Sequence, residues 1–253
     1  MSELMTGTAW DPSTKPVIRK NWEFLAILHV LKYHNVLGPG KRGLGFGVGE
    51  EPLASYFVKQ GSEVVVSDAP QSGGWASEHQ HAAQLKQTWA TNIVDYETYA
   101  RHAVFRAVDM NDIPSDLLTG DFDFTWSAGS LEHVGGQDKS VAFILNQMRA
   151  LKSGGIAAHT TEFMISLDAP NNIELPWMTV FTKTVWQNRV IDQLTAHGYE
   201  VMGPVVWSVG RDPSPVDEPP YRSNHHFNLA VKFQHAPERW GIHTSGLLIV
   251  RKP

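Results

Sequence analysis

Apolar positions along the chain alternate between two regimes. Val64-Val65-Val66, Val104-Phe105-Arg106-Ala107-Val108, Phe122-Asp123-Phe124-Thr125-Trp126-Ser127 and Ile156 to Thr161 are short apolar runs bounded by turn residues. Such runs read as strands buried in a sheet. Between them the spacing becomes helical. Trp22 to Tyr33 is amphipathic, Val141, Ile144, Leu145, Met148 and Leu151 share one helix face, and helices are expected over Pro52 to Gln60 and Thr182 to His197, the latter closed by Gly198. Residues 71–103 are expected to hold one helix with flanking loops. Tyr199 to Trp207 and Leu247 to Val250 supply the last two strands. Strands alternating with helices predict an α/β fold whose parallel sheet carries helices on both faces through right-handed crossovers. Residues 1–40 read as an N-terminal arm and a covering helix, and 41–253 as a single domain. That domain has two insertions rich in turn residues, at 163–181 and 208–240, beside the expected ligand crevice.

The first strand runs into Gly43-Leu44-Gly45-Phe46-Gly47-Val48-Gly49-Glu50-Glu51-Pro52, and the second ends in Ser67-Asp68. A glycine turn followed about twenty residues later by a carboxylate is an arrangement that holds an adenosine-containing ligand, the acid accepting from ribose hydroxyls. The dinucleotide fingerprint is missing in every register: the position of its third glycine is Glu50, Val48 or Pro52. Two carboxylates at the start of the next helix would also compete with a pyrophosphate for the same amides. An adenosine compound without phosphates is therefore expected. S-adenosylmethionine fits, because its sulfonium and ammonium are positive.

With these motifs the chain resembles the class I S-adenosylmethionine-dependent methyltransferases from about Lys41 to Glu162. Gly45, Phe46, Gly47 and Gly49 look like the family's first motif and Asp68 like its ribose acid. Asp109 and Met110 sit where the family contacts adenine. Leu131-Glu132-His133-Val134 resembles the segment after the fourth strand, and Leu151-Lys152-Ser153-Gly154-Gly155 the turn before the fifth. The resemblance implies a Rossmann-like fold with a seven-stranded, mostly parallel sheet and an antiparallel last strand. It implies S-adenosylmethionine as cofactor and S-adenosylhomocysteine as product. Where the family has an acid two residues before the first motif glycine, this chain has Gly43, so a carboxylate contact near the methionine end is missing or comes from Glu50 or elsewhere. Arg42 to Gly49 together with His159-Thr160-Thr161-Glu162-Phe163 is similar to a bacterial subgroup associated with surface-polysaccharide genes.

The carboxyl ends of parallel strands line the ligand crevice, which gathers the Gly45–Gly49 turn, Asp68, Asp109, Ser127 and His159–Glu162. A hydroxyl acceptor needs a base or a metal. His133 is the first candidate for that base, with Glu132 beside it, since imidazole titrates near neutrality. The bland alternative is that both cap or pack the next helix. His159 and Glu162 are candidate acceptor contacts, as are Trp177, His225 and His226. On a strand His159 and Thr161 share one side and Glu162 takes the other, which makes them poor joint metal ligands. A divalent metal is left open but not favoured, and no metal ligand is assigned. The tryptophans near strand ends could stack on adenine or a sugar, though core packing accounts for any one of them equally well.

Composition narrows the classes. There are no cysteines, which removes disulfides, thiolate catalysis and zinc–thiolate sites. The formal charge of −5 and the lack of a basic run offer nothing to nucleic acid. No apolar stretch approaches a membrane span, and the opening Met1-Ser2-Glu3-Leu4-Met5-Thr6 has neither the basic end nor the apolar core of a signal peptide, so a cytoplasmic enzyme is expected. The expected activity is methyl transfer to a small polar acceptor, preferably an oxygen nucleophile such as a sugar hydroxyl. The rivals are cleavage or cyclisation of S-adenosylmethionine, a non-catalytic protein that binds it, and, less favoured, a nicotinamide oxidoreductase. Oligomeric state is not readable from the sequence.

Overall fold

The computed structural model describes residues 19–71, 80–166, 173–174, 178–203, 216–217, 228–233 and 236–253. The chain begins there with helix α1 (Arg19–Tyr33), followed by β1 (Arg42–Phe46), α2 (Leu53–Lys59) and β2 (Glu63–Asp68). Then come α3 (Tyr96–His102), β3 (Ala103–Ala107), β4 (Phe122–Ala128), α4 (Gln137–Gln147) and β5 (Leu151–Met164). The short pair β6 (Ile173–Glu174) and β7 (Thr179–Val180) leads to a helical stretch, α5. It is α-helical over Lys183–Val185, π-helical over Trp186–Ile191 and α-helical again over Asp192–Ala196. Strands β8 (Glu200–Val201), β9 (Val216–Asp217), β10 (Asn228–Phe233) and β11 (Ala236–Arg251) complete the chain.

The sheet order is β3-β2-β1-β4-β5-β11-β10-β9, with β8 pairing on β11. Strands β1 to β5 run parallel, and β11 lies antiparallel to β5 over the register His243↔Met164 to Arg251↔Ile156. Seven strands, β3-β2-β1-β4-β5-β11-β8, form the mixed sheet expected from the sequence, and the β10–β11 hairpin extends it.

Strand alternation divides the core in two. Phe124, Trp126, Ile156 and Ala158 meet Ile27, Leu28 and Leu31 of α1 and Phe57 of α2. Leu44, Phe46 and Ala157 meet Phe143 and Ile144 of α4 and Val190 and Leu194 of α5 on the other face. Each buried side chain of this size contributes about 1.5–3 kcal/mol. Gly43 and Gly45 give β1 a flat surface on the α1 face: a Cβ at either would overlap the Phe124 ring or the Trp126 indole. Two aromatic rings of β4 thus lie directly on the β1 backbone.

Four local expectations change. Leu151 opens β5 and does not continue the preceding helix, because the helix gives way to a 3-10 turn over Met148–Ala150. Residues 80–103 hold a 3-10 turn at Leu85–Thr88 and a separate α3, which starts where the Asp95 carboxylate caps Thr98 N–H at 2.8 Å. Strand β5 continues to Met164 and so enters the expected 163–181 insertion, and 229–240, which carried no predicted element, contributes to β10 and β11.

Candidate cofactor and acceptor site

Beyond Phe46 the backbone turns through Gly47 (φ 57°) and Gly49 (φ 51°), conformations that favour glycine. Val48 N–H donates to Ser67 O at 3.1 Å, tying the turn to the end of β2. There Asp68, only 6% exposed, accepts three backbone amides. Gly49 (3.0 Å) and Ala82 (2.9 Å) donate to Oδ2, and Ala69 (2.7 Å) to Oδ1. The carboxylate is aimed by the turn it serves. With about four lone-pair sites on a carboxylate, it retains one acceptor position.

Met110 and the β4–α4 connection close on the turn. A Cβ at Gly47 would stand 2.7 Å from Ser130 Cβ and 3.6 Å from Met110 Sδ, and Ser130 Oγ donates to Gly47 O at 2.8 Å. Asp109 is exposed, and its Oδ1 accepts from Asn111 N–H at 2.8 Å and from Asn111 Nδ2 at 3.1 Å. Glu50 points outward, whereas Glu51 is 8% exposed and accepts from Trp126 Nε1 at 2.6 Å. Burial pushes the Glu51 carboxyl up to about 8, against the pull of Trp126 and Lys20.

A second set of polar groups is buried where α1 crosses the carboxyl ends of β4 and β5. Glu23 of α1, 1% exposed, accepts from Lys20 Nζ at 2.9 Å, Ser245 Oγ at 2.5 Å and Thr160 Oγ1 at 3.2 Å. Lys20 Nζ also donates to Ala128 O at 3.1 Å. Glu162 pairs with Arg19 and, through Oε2, with His243 Nδ1 at 2.7 Å. Burial alone would raise the Glu162 carboxyl, but Arg19 and His243 outweigh it and hold it well below the usual range. Glu132 behaves oppositely. It is 1% exposed, accepts from Thr161 Oγ1 at 3.1 Å, and burial together with the Glu162 charge raises it well above the usual range. The surroundings push the two carboxyls in opposite directions, the separation by which two acids take different roles.

The structure distributes the sequence-predicted residues unevenly. Gly45, Gly47, Gly49, Asp68 and Met110 gather at the turn, while the Phe46 side chain packs in the core, 5.1 Å edge-on to Phe143. Ser127 is fully buried on the α4 face and bonded to His159 Nδ1 at 2.8 Å, so its side chain lies beneath the turn and not in it. His159 is fully buried against Phe143, and burial lowers it to about 3, leaving a neutral imidazole. Glu162 faces the opposite side from His159, as the strand alternation requires. Glu132 and half-buried His133 share the 3-10 turn Leu131–His133. Trp177, His225 and His226 lie outside the described residues. Among the described residues no group of three or more His, Asp or Glu side chains could hold a metal ion, and no helix is long and apolar enough to cross a membrane.

Sequence reasoning missed Glu51, Arg19, Lys20, Glu23 and His243. Glu23 left a signal: with Ile27, Val30 and Leu31 it occupies the apolar stripe of α1, and a carboxylate at a core position needs partners.

A parallel sheet of order β3-β2-β1-β4-β5 flanked by an antiparallel last strand, with a glycine turn after β1 and an acid after β2, defines the class I S-adenosylmethionine-dependent methyltransferase fold. Solved structures of the same fold include the [4+2]-cyclase SpnF, 15% identical with a TM-score of 0.54 over 91% of this chain and 80% of that one. Another is the geranyl diphosphate C-methyltransferase of Streptomyces coelicolor A3(2), in complex with Mg2+, geranyl diphosphate and S-adenosyl-L-homocysteine; it is 11% identical with a TM-score of 0.53 over 91% and 79%. A putative sarcosine dimethylglycine methyltransferase from Galdieria sulphuraria is 16% identical, TM-score 0.51, over 72% and 61%. At these identities the likeness is one of fold. No family model and no curated protein matches the chain.

Proposed function

We propose that the protein transfers a methyl group from S-adenosylmethionine to a small polar acceptor, with an oxygen nucleophile such as a sugar hydroxyl preferred. The observation that carries this reading is the adjacency of an amide-held carboxylate and glycine turn to a buried polar cluster at the same edge of the sheet. The residues fit the cofactor's chemistry. Gly47 and Gly49 take left-handed backbone conformations and add no side chain of their own to the turn, and Asp68 keeps an acceptor position for a ribose hydroxyl. Asp109 and Met110 would border the adenine, with Gly45, Gly47 and Gly49 against the methionine portion. When bound, the cofactor supplies an electrophilic methyl group.

The protein's own task is to hold the acceptor in line and dry, from which much of the rate comes. Glu132 retains its proton at neutral pH and can donate a hydrogen bond that orients the acceptor. His133, half-buried beside it, is the proposed base for the acceptor hydroxyl. Incubation with S-adenosylmethionine and a panel of sugars and hydroxylated small molecules should release S-adenosylhomocysteine. His133→Ala should lower kcat about 100-fold or more; an unchanged kcat would remove His133 from the mechanism. The likeness to a [4+2]-cyclase supports a second reading in which the fold serves a reaction other than methyl transfer. Methylthioadenosine as product, or no product from a bound cofactor, would favour it.

A further inference from the structure

The methionine end of the proposed cofactor carries an ammonium, and a cation taken out of water needs an anionic partner. Strand β1 cannot supply one: at Gly43 any side chain would run into the Phe124 ring. Asp68 holds three backbone amides, and its one free acceptor position is assigned to the ribose. Glu50 faces solvent. Among the described residues the carboxyl left next to the turn is Glu51, two residues beyond Gly49 and buried.

Its orientation is built from the motif itself. Glu51 N–H donates to Val48 O at 3.2 Å, closing the turn. The bare Gly45 lets the Trp126 indole lie on β1, and the indole then carries its N–H to Glu51 at 2.6 Å. Phe57 packs edge-on to that indole at 5.0 Å and fixes it. Lys20 and Glu23 from α1 and Asp68 from β2 act on Glu51, and the buried Tyr99 hydroxyl of α3 also feels its charge. Lys20 in turn reaches Ala128 O at the end of β4, so the carboxyl stands between the glycine turn and the α1 cluster.

We propose that Glu51, resting on the reading of the site as an S-adenosylmethionine site, receives the cofactor's ammonium and replaces the β1 carboxylate that Phe124 excludes. In the free protein Glu51 is mostly protonated at pH 7. An arriving ammonium favours the carboxylate, so the proton leaves to buffer as the ion pair forms. The contact selects adenosyl compounds that bear the amino-acid tail over those that lack it.

The test is calorimetric titration of wild type and Glu51→Gln with S-adenosylmethionine and, separately, with methylthioadenosine, which has no amino-acid tail. Each is run in two buffers of different ionisation enthalpy. Gln keeps an acceptor for the Trp126 N–H and cannot ionise. The expected result is a loss of about 10- to 100-fold for S-adenosylmethionine, the range of a hydrogen bond to a charged group. Methylthioadenosine affinity should change by less than about 3-fold, well under one decade. Proton release should approach one per S-adenosylmethionine in wild type and vanish in the variant. Equal losses for both compounds, or no loss for either, would overturn the assignment while leaving the cofactor reading intact. Wild type that binds neither compound would overturn both. If Glu51→Gln does not fold, Glu51→Asp is titrated in its place: it keeps an ionisable carboxyl but draws it back by one methylene, so S-adenosylmethionine should bind more weakly while methylthioadenosine is unaltered, and equal changes for both compounds would count against Glu51.

Discussion

Glu162 Oε2 lies 2.7 Å from His243 Nδ1, joining β5 to β11 diagonally across the antiparallel register in which Glu162 faces Ser245. Arg19 holds the same carboxylate from α1, so three elements distant in sequence meet at one buried charge. His243 Nε2 is buried and unpaired among the described residues. Breaking a buried ion pair from one side costs about 3–5 kcal/mol. Glu162→Gln should therefore lower Tm by roughly 6–20 °C at this chain length. Arg106→Gln removes an exposed pair with Asp116 and should cost less than about 1 kcal/mol. Thermal unfolding of the two variants checks the contrast, and equal shifts would show that the cluster carries no special weight.

The buried carboxyls also set a pH dependence. Glu51 titrates near 8 in the folded chain and near 4.5 when free of it. Between these values the unfolded chain binds fewer protons than the folded one. The stabilisation is thus complete below about 4.5 and is lost as pH rises through 8. Glu132, also raised, acts in the same direction. Glu162 is depressed, so its stabilisation is present above about 4.5 and lost as pH falls below that toward its folded value. Tm should fall by several degrees from pH 5 to 8.5, with about 2–4 °C for each kcal/mol. Glu51→Gln should flatten that slope, and a variant with the wild-type slope would remove Glu51 as its source.

Glycines separate packing from conformation. At Gly154 (φ 79°) an added Cβ meets nothing within 4 Å, so Gly154→Ala should cost only the left-handed penalty of about 1–2 kcal/mol. Gly45 is not in that region, and its Cβ would strike the Trp126 indole. Gly45→Ala should cost about 1–3 kcal/mol through overpacking and should also disturb the near-ultraviolet dichroism of the tryptophans. An unaltered aromatic spectrum would contradict the packing of Trp126 on β1.

The fold was legible because strands buried in a parallel sheet are short apolar runs, and four of them alternate with helical spacing after the glycine-marked first strand. The place of Asp68 at the end of β2 was legible for a related reason, the change from Val64-Val65-Val66 to Ser67-Asp68. The sequence reading offered Glu50 and passed over Glu51. Which of two adjacent acids turns inward depends on the backbone angles at Gly47 and Gly49, and the outcome is Glu51. Ser127 and His159 sit near the right strand ends but pair with each other on the α4 face, because strand alternation sends both away from α1. His243 left no local signal. Its partner Glu162 is 81 residues away, and only the β5–β11 register brings them together.

The most direct test of the central claim is calorimetric titration of folded, ligand-free protein with S-adenosylmethionine, on wild type and on Asp68→Ala, with near-ultraviolet dichroism to confirm that the variant keeps its fold. Saturable binding to wild type that Asp68→Ala abolishes is the predicted result. A folded wild type that does not bind S-adenosylmethionine, or binding that Asp68→Ala leaves unchanged, would contradict the placement of the cofactor at the glycine turn.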